Sequence, residues 1–136
     1  MPEGLDTRRG LVRLLAATLA VAFGATHDPV ASLAQSSELL MFEEPGCPWC
    51  RRWRAEVGVG YPHTPEGQRA PLRTIDLTGP RPAGIELAAA VYFSPTFVLV
   101  VDGREVGRIT GYPGADFFWG LLEGLLKKAE KAGTAP

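Results

Sequence analysis

The sequence predicts an α/β fold in which a mixed four-stranded sheet is flanked by helices. Two short strand-like runs are separated by a helix, and strands joined in this way pair in parallel through a crossover. The dipeptide Asp102-Gly103 lies between two β-rich runs, which is typical of a hairpin and adds an antiparallel pair. A chain of 136 residues suits one such domain and leaves little room for two.

The composition excludes several classes of protein. The formal net charge is −1 and 21% of the residues are charged, a pattern too ordinary for a disordered tail. A near-neutral chain lacks the positive charge that nucleic-acid binding requires, so we expect no nucleic acid among its partners. Two cysteines are too few for a disulfide scaffold or for a four-cysteine zinc site.

Residues 1–34 predict a secretory signal peptide that is removed from the mature protein. A basic run at residues 7–13 precedes an apolar stretch at residues 14–25, which is shorter than the roughly 20 residues that cross a membrane. Ser32-Leu33-Ala34 then offers small residues for cleavage, which leaves residues 35–136 as the domain. The alternatives are a buried N-terminal helix or an uncleaved anchor. The paired arginines also fit a twin-arginine export signal loosely, beside the general secretory route.

The first half of the domain predicts a strand, a helix and a loop. Residues 39–42 form an apolar run that predicts a buried strand, and a turn follows it. A helix is predicted from Cys47 to about Val57, with Pro48 at the first helical position, where no N–H is needed. Glycines and prolines make the stretch up to Pro71 a long loop with room for one helical turn.

The second half predicts three strands and two helices. Residues 72–77 alternate as in a strand, residues 83–91 predict a short helix, and strands at residues 96–101 and 105–110 form the hairpin. The last helix is predicted to end near Lys131. One face of it carries the apolar residues Phe117, Phe118, Leu121, Leu122, Leu125 and Leu126. The predicted order is therefore strand–helix–strand–helix–strand–strand–helix.

The chemistry of the chain is concentrated in Cys47-Pro48-Trp49-Cys50. A cysteine at a helix N-terminus lies beside unpaired backbone N–H groups and the positive end of the helix dipole, and both favour a thiolate. Cys50 returns to the same side of the helix one turn later, where it can attack a mixed disulfide at Cys47. The motif predicts a redox pair with Cys47 as nucleophile and Cys50 as resolving thiol. The alternatives are an inert disulfide or part of a metal site.

Ser94-Pro95-Thr96 lies immediately before the predicted third strand. A cis Ser94–Pro95 bond would turn the chain sharply and leave the Ser94 backbone free to pair with an extended substrate. The plain alternative is a proline that only starts a strand. The Cys-x-x-Cys pair upstream, in this strand order, favours the cis geometry.

These motifs, in this order, resemble the thioredoxin superfamily over residues 38–130. The chain lacks the extra N-terminal strand and helix of full thioredoxins, so the resemblance implies the minimal thioredoxin-like fold. Within the superfamily the chain is similar to the periplasmic SoxS-type thioredoxins, which are encoded with bacterial sulfur-oxidation genes. The similarity is carried by residues 41–50, 93–99 and 111–119.

The resemblance implies an exported, periplasmic thiol–disulfide oxidoreductase that reduces disulfides or cysteine adducts on a partner protein of the sulfur-carrier type. It implies a membrane thiol transporter as electron donor, and no cofactor or metal besides the redox-active Cys47–Cys50 disulfide. The alternatives within enzymes are a reductant of apocytochrome c thiols and a general disulfide oxidase. A non-enzymatic alternative is a chaperone that holds Cu(I) between the two thiolates.

One departure from the family concerns the proton of Cys50. Typical thioredoxins carry a buried aspartate on the first active-site strand, at the position where this chain has Met41. The proton must then go elsewhere, and Glu43 or Glu44 is the nearest candidate acceptor. Solvated turn positions are the alternative for both glutamates.

Three further positions are expected to contact the partner protein. Trp49, beside Pro48 in the loop between the cysteines, is expected to be an exposed contact surface. Thr96 belongs to the expected substrate groove together with Ser94 and Pro95. Tyr112 follows the last strand, where related folds complete the groove, and a plain surface position is the alternative.

Overall fold

The computed structural model describes residues 35–133, so the predicted signal peptide at residues 1–34 lies outside the described residues. The described part of the chain contains β1 (Ser37–Glu43), α1 (Pro48–Trp53), α2 (Pro65–Arg69), β2 (Leu72–Asp76), β3 (Thr96–Val101), β4 (Arg104–Thr110) and α3 (Ala115–Gly133). The first helix continues as a π-helix over Arg54–Gly58, and a 3-10 turn at Tyr61–His63 precedes α2. Within these residues, no helix is both long and apolar enough to span a membrane.

The four strands form one mixed sheet in the order β2-β1-β3-β4. β1 pairs with β2 in parallel, and the other two pairs are antiparallel. At the β3–β4 turn, Asp102 has a φ of 49° and Gly103 a φ of 78°, the left-handed values that a tight two-residue hairpin requires. The predicted α/β class, the four strands and their pairing are confirmed.

One face of the sheet forms the larger core with α1 and α3. Leu39 of β1 is fully buried there, and the rings of Trp53, Phe97 and Phe118 fill the centre. The ring centroids lie 4.9 to 5.6 Å apart, in the tilted and edge-to-face arrangements that aromatic pairs favour. This packing anchors the cysteine-bearing helix to the sheet through Trp53.

The opposite face of the sheet is covered by the segment between β2 and β3, and the predicted helix over residues 83–91 is wrong. The backbone of Glu86 forms a parallel bridge with Arg104 of β4 instead, through hydrogen bonds of 2.7 and 3.0 Å to neighbouring residues. Ile85 and Leu87 pack against the sheet while Glu86 between them is exposed, which is the alternation of an extended chain. The apolar residues expected on a helix therefore cover the sheet without one.

Two charged residues of β4 hold this segment in its non-helical form. Arg108 donates hydrogen bonds to the carbonyl oxygens of Ala89 and Ala90 at 2.8 and 3.1 Å. It is paired with Glu105 at 2.7 Å, and Glu105 also accepts the N–H of Ala88 at 2.8 Å. In a helix over residues 83–91 the N–H of Ala88 would bond within the helix, whereas the carbonyls of Ala89 and Ala90 would lie in the last turn without an internal partner. In the observed segment, side chains of β4 bind all three groups.

We expect Glu105→Gln to destabilise the fold by about 1–2 kcal/mol, because an amide is a weaker acceptor for Arg108 than a carboxylate. The hydrogen bond from Arg108 lowers the pKa of Glu105 in the folded state. The stabilisation is therefore complete at neutral pH and is lost as the pH falls through the folded pKa, which lies below the ordinary pKa of a glutamate. Urea unfolding should show a gap between wild type and variant that narrows in acid. A gap that is constant or widens in acid would contradict this role.

The apolar face of α3 is narrower than predicted. Phe118, Leu122 and Leu126 are buried, whereas Phe117 is 71% exposed and Leu121 is 49% exposed. Residues four apart lie above one another on a helix, while adjacent residues point about 100° apart. The sheet contacts α3 along one such line, so the predicted placement of Phe117 and Leu121 on the core face is wrong.

Candidate active site

Three segments that carry predicted site residues meet at one end of the sheet. In the strand register, Phe42 near the end of β1 lies opposite Thr96 at the start of β3, and Thr96 lies opposite Thr110 at the end of β4. The segments that follow β1, precede β3 and follow β4 therefore lie side by side. They contain the cysteine pair, the Ser94–Pro95 peptide and Tyr112.

A tight turn connects β1 to the cysteines. The N–H of Cys47 donates to the carbonyl of Glu44 at 3.3 Å, and Gly46 has a φ of +82°, which favours glycine. Cys47 is the N-cap of α1 and Pro48 takes the first helical position. Cys47 and Cys50 form a disulfide with a Cα–Cα distance of 5.3 Å. The predicted arrangement of the motif at a helix start is what the structure has.

The two sulfurs are not equivalent. The backbone N–H of Cys50 donates to the Cys47 sulfur at 3.1 Å, the interaction that stabilises a thiolate once the disulfide is reduced. Cys47 retains 8% of its accessible surface and Cys50 retains 3%. Cys47 is therefore the more accessible of the two cysteines, and the roles of Cys47 as nucleophile and Cys50 as resolving thiol stay predictions.

Trp49 lies between the cysteines in the first turn of α1 and is 50% exposed. The guanidinium of Arg52 lies 5.7 Å from the centroid of its ring, within the range of a cation–π interaction. Arg51, the next residue after the motif, donates to the carbonyl of Gly46 at 3.0 Å. The surface beside the disulfide thus carries an exposed aromatic ring with Arg52 next to it, and Arg51 binds the turn before Cys47.

The loop before β3 is tied to the turn that carries the cysteines. The Ser94–Pro95 peptide bond is cis, the geometry that the sequence predicts. The hydroxyl of Ser94 donates to the Glu44 carboxylate at 2.9 Å, and the hydroxyl of Thr96 donates to the carbonyl of Phe93 at 2.6 Å. Pro95 and Thr96 are buried, so Ser94 is the partly accessible member of the three.

A surface cavity of about 350 Å³ opens beside both sulfurs. Glu43 and Glu44 line it, as do Arg54 and Asp76. The Glu43 carboxylate accepts two hydrogen bonds from Arg54, at 2.7 and 3.2 Å. Both predicted proton acceptors therefore border the same cavity as Cys50, while Met41 is fully buried in the core.

Asp76 is an acidic residue of this cavity that the sequence analysis did not single out. It lies at the end of β2, directly opposite Glu43 in the parallel pairing. Hydrogen bonds from the hydroxyl and the N–H of Thr78 lower the pKa of Asp76. Its place at the carboxyl end of a parallel strand is the signal that could have identified it.

Tyr112 is largely buried, and its hydroxyl donates to the Glu56 carboxylate at 2.6 Å. The other carboxylate oxygen of Glu56 accepts the Nε–H of Arg52 at 2.8 Å. The hydrogen bonds from Arg52 and then from Tyr112 lower the pKa of Glu56, and burial followed by the Glu56 hydrogen bond raises the pKa of Tyr112 to about 12. A role of Tyr112 in a substrate groove stays a prediction. The sequence analysis missed Glu56, although its spacing from Arg52 is that of a helical ion pair.

The described residues contain no group of three or more histidine, cysteine, aspartate or glutamate side chains that could hold a metal ion. The chemistry available at the site is that of the two sulfurs. A dithiol at these positions can exchange with a disulfide on another molecule and close again as the Cys47–Cys50 bond.

The chain was compared with known proteins and structures. A scan against protein-family models and a search of curated proteins gave no match. Among solved structures, the reduced form of the periplasmic thioredoxin SoxS from Paracoccus pantotrophus matches at 50% identity and a TM-score of 0.68, over 69% of this chain and 99% of that one. A thioredoxin from Thermus thermophilus matches at 19% identity and a TM-score of 0.50, over 72% and 79% of the two chains, which supports the fold alone. The chain belongs to the thioredoxin superfamily, and it is a thiol–disulfide oxidoreductase.

Proposed function

We propose that this protein is a periplasmic reductant that restores the cysteine of a partner protein of the sulfur-carrier type. The observation that carries the proposal is the 50% identity to SoxS over nearly the whole of that protein, with Cys47 and Cys50 placed as a dithiol pair. The partner is a folded protein with one reducible cysteine, present as a disulfide or as an adduct with another sulfur group.

The reaction begins at Cys47 in the reduced enzyme. Its thiolate attacks a sulfur of the partner's disulfide, a new S–S bond joins Cys47 to the partner, and the other sulfur leaves as a thiolate. The thiolate of Cys50 then attacks the sulfur of Cys47, and the partner's cysteine leaves reduced. Two electrons have passed to the partner, and the enzyme holds the Cys47–Cys50 disulfide present in this structure.

A donor outside this chain must reduce that disulfide again before the next cycle. We propose a membrane thiol transporter, whose own dithiol would attack the Cys47 sulfur and carry away the oxidising equivalent. The higher exposure of Cys47 relative to Cys50 supports attack at the same sulfur in both halves of the cycle.

The proton of Cys50 must leave before that sulfur can attack. Glu43 and Glu44 are the proposed acceptors, because both line the cavity that Cys50 borders. Asp76 is a weaker candidate, since the hydrogen bonds from Thr78 lower its pKa and make it a poorer base.

Binding of the partner is proposed at the rim of the disulfide. Trp49 supplies an exposed ring beside the nucleophile, and the backbone of Ser94 supplies an edge for an extended segment of the partner. Pro95 and Thr96 keep that edge in place from the buried side, and Tyr112 supports the neighbouring loop.

The proposed compartment depends on residues 1–34, which carry the basic run, the apolar stretch and the Ser32-Leu33-Ala34 site. The solved SoxS structure is described as that of a periplasmic protein, which supports the same location for this chain. Residues 35–136 would then be the mature protein.

We expect Cys50→Ser to accumulate as a mixed disulfide with its partner, because Cys47 still attacks but the resolving thiol is absent. The full-length variant is produced in cells that also make the sulfur-carrier partner, and the periplasmic fraction is analysed under non-reducing conditions. Mass spectrometry should link Cys47 to the cysteine of the carrier and should show a chain that begins at Gln35. The matched control is the same variant with Cys47→Ser, which should form no adduct.

Two results would contradict the proposal. Capture of apocytochrome c, or of many unrelated secreted proteins, would favour the alternative reductant or the general oxidase. An unprocessed chain that retains Met1 and stays out of the periplasm would contradict the signal peptide.

A further inference from the structure

A series of side-chain contacts connects Trp49, between the cysteines, to Tyr112 in the segment after β4. Trp49 lies next to Arg52, Arg52 is bound to Glu56, and Glu56 is bound to Tyr112. The reduction of a partner disulfide, as described above, uses neither Arg52 nor Glu56. Both oxygens of the Glu56 carboxylate nevertheless accept hydrogen bonds, one from Arg52 and one from Tyr112.

We propose that Glu56 is a positioning residue for the binding of partner proteins, which holds Arg52 against the Trp49 ring and joins both to Tyr112. The inference rests on the proposed role of Trp49 as a contact for the partner. It adds a residue that does not touch the partner but determines where the contacting ring lies.

Glu56 restricts the conformational freedom of Arg52. Its side chain is 54% exposed, and an exposed arginine samples many rotamers unless something holds it. The bond from its Nε to Glu56 leaves the planar guanidinium beside the indole ring, 5.7 Å from its centroid. Without the carboxylate, Arg52 has no such restraint, and the ring of Trp49 loses a defined neighbour.

Glu56 is itself held in place by Tyr112. A carboxylate on the exposed surface of a helix would also be mobile, but Tyr112 fixes its second oxygen at 2.6 Å. Tyr112 is 7% exposed and its ring contacts Phe118 of the core, at a centroid distance of 6.3 Å. The core therefore orients the tyrosine, the tyrosine orients the carboxylate, and the carboxylate orients the arginine.

A Trp49 ring that is already held in place favours the binding of a partner protein. A partner that contacts Trp49 must immobilise the ring, and the cost of that ordering is lower when the ring is already held. The two sulfurs take no part in these side-chain contacts. The reactivity of Cys47 toward small reagents should therefore not depend on Glu56. The effect belongs to recognition of a protein substrate and not to the exchange chemistry.

The test compares Glu56→Ala with Glu123→Ala in the full-length protein. Glu123 forms an ion pair with Lys127 at the same helical spacing, on the exposed surface of α3, so the control removes an equivalent carboxylate. Turnover is measured with insulin as the protein disulfide and dithiothreitol as the reductant. Alkylation of the reduced protein by iodoacetamide, followed by mass spectrometry of the peptide that carries Cys47, measures the reactivity of this thiol without a protein substrate.

We expect Glu56→Ala to lower kcat/KM for insulin about two- to fivefold, mainly through KM, which corresponds to the loss of one exposed cation–π contact. Alkylation of Cys47 should be unchanged, and Glu123→Ala should match wild type in both assays. Arg52→Lys, which keeps the charge but loses the planar group, should resemble Glu56→Ala. Neither variant should add to the effect of Trp49→Ala, because all three act through the same ring.

A spectroscopic measurement separates positioning from a general loss of structure. Fluorine NMR of fluorotryptophan-labelled protein observes Trp49, Trp53 and Trp119 individually, the three tryptophans of the chain. Only the Trp49 signal should move in Glu56→Ala. Movement of all three signals, or an unchanged Trp49 signal with unchanged kinetics, would overturn the inference. An equal loss in the alkylation assay would also overturn it, whereas failure of wild type to reduce insulin would count against the proposed function instead.

Discussion

Cys47→Ser is expected to reduce the turnover of insulin disulfides to the uncatalysed rate. The hydroxyl of serine is not ionised at neutral pH, and an oxygen at this position cannot form the mixed disulfide on which the exchange depends. The N–H of Cys50 that contacts the Cys47 sulfur at 3.1 Å would have no thiolate to stabilise. The measurement is steady-state insulin reduction with dithiothreitol as the electron donor.

The control for this prediction is the stability of the reduced proteins. Reduced wild type and Cys47→Ser both lack the disulfide, so urea unfolding should give closely similar midpoints for the two. Turnover by Cys47→Ser, combined with a failure of Cys50→Ser to capture any partner, would reverse the assignment of nucleophile and resolving thiol.

Phe118→Ala is expected to destabilise the fold by about 3–5 kcal/mol, the range for removal of a large aromatic side chain from a core. Phe118 is fully buried, and its ring contacts those of Trp53 and Phe97 at centroid distances of 5.6 and 4.9 Å. Trp53 also anchors the cysteine-bearing helix, so removal of its Phe118 neighbour loosens the packing of that helix as well. The loss of stability is measured by equilibrium urea unfolding and by thermal unfolding.

The neighbouring residue provides a matched control for this variant. Phe117→Ala makes the same chemical change at the next position of α3, with the same gain in helix propensity, but its side chain is 71% exposed. We expect a change within about 0.5 kcal/mol for it. Equal destabilisation by the two variants would mean that α3 does not pack on the sheet along the line of Phe118, Leu122 and Leu126.

The parts of the fold that could be predicted are those encoded by neighbouring residues. Short apolar or alternating runs of four to six residues identify strands, and Pro48 identifies a helix start. Asp102-Gly103 identifies a hairpin because few residues adopt its backbone angles. The cysteine pair needs no tertiary information either, since the two sulfurs are brought together by one turn of helix.

The incorrect predictions have a common origin in distant contacts. Residues 83–91 have a composition that suits a helix, but Arg108 and Glu105 bind the backbone of this segment from β4. Phe117 and Phe118 are equally apolar, and only the position of the sheet decides which of the two is buried. Periodicity restricts the choice of a helix face to a broad arc, and the packing partner selects the line within it.

Short-range patterns are enough to predict the α/β class, the cysteine pair at a helix start and the resemblance to thioredoxins. The groups that surround the cysteine pair depend instead on contacts between distant parts of the chain. Glu56 and Tyr112 are 56 positions apart, and Glu44 and Ser94 are 50 apart, yet each pair shares a hydrogen bond. A hydrogen bond requires two atoms to approach within about 3 Å, and for residues so far apart that approach is set by the packing of the whole sheet and its helices.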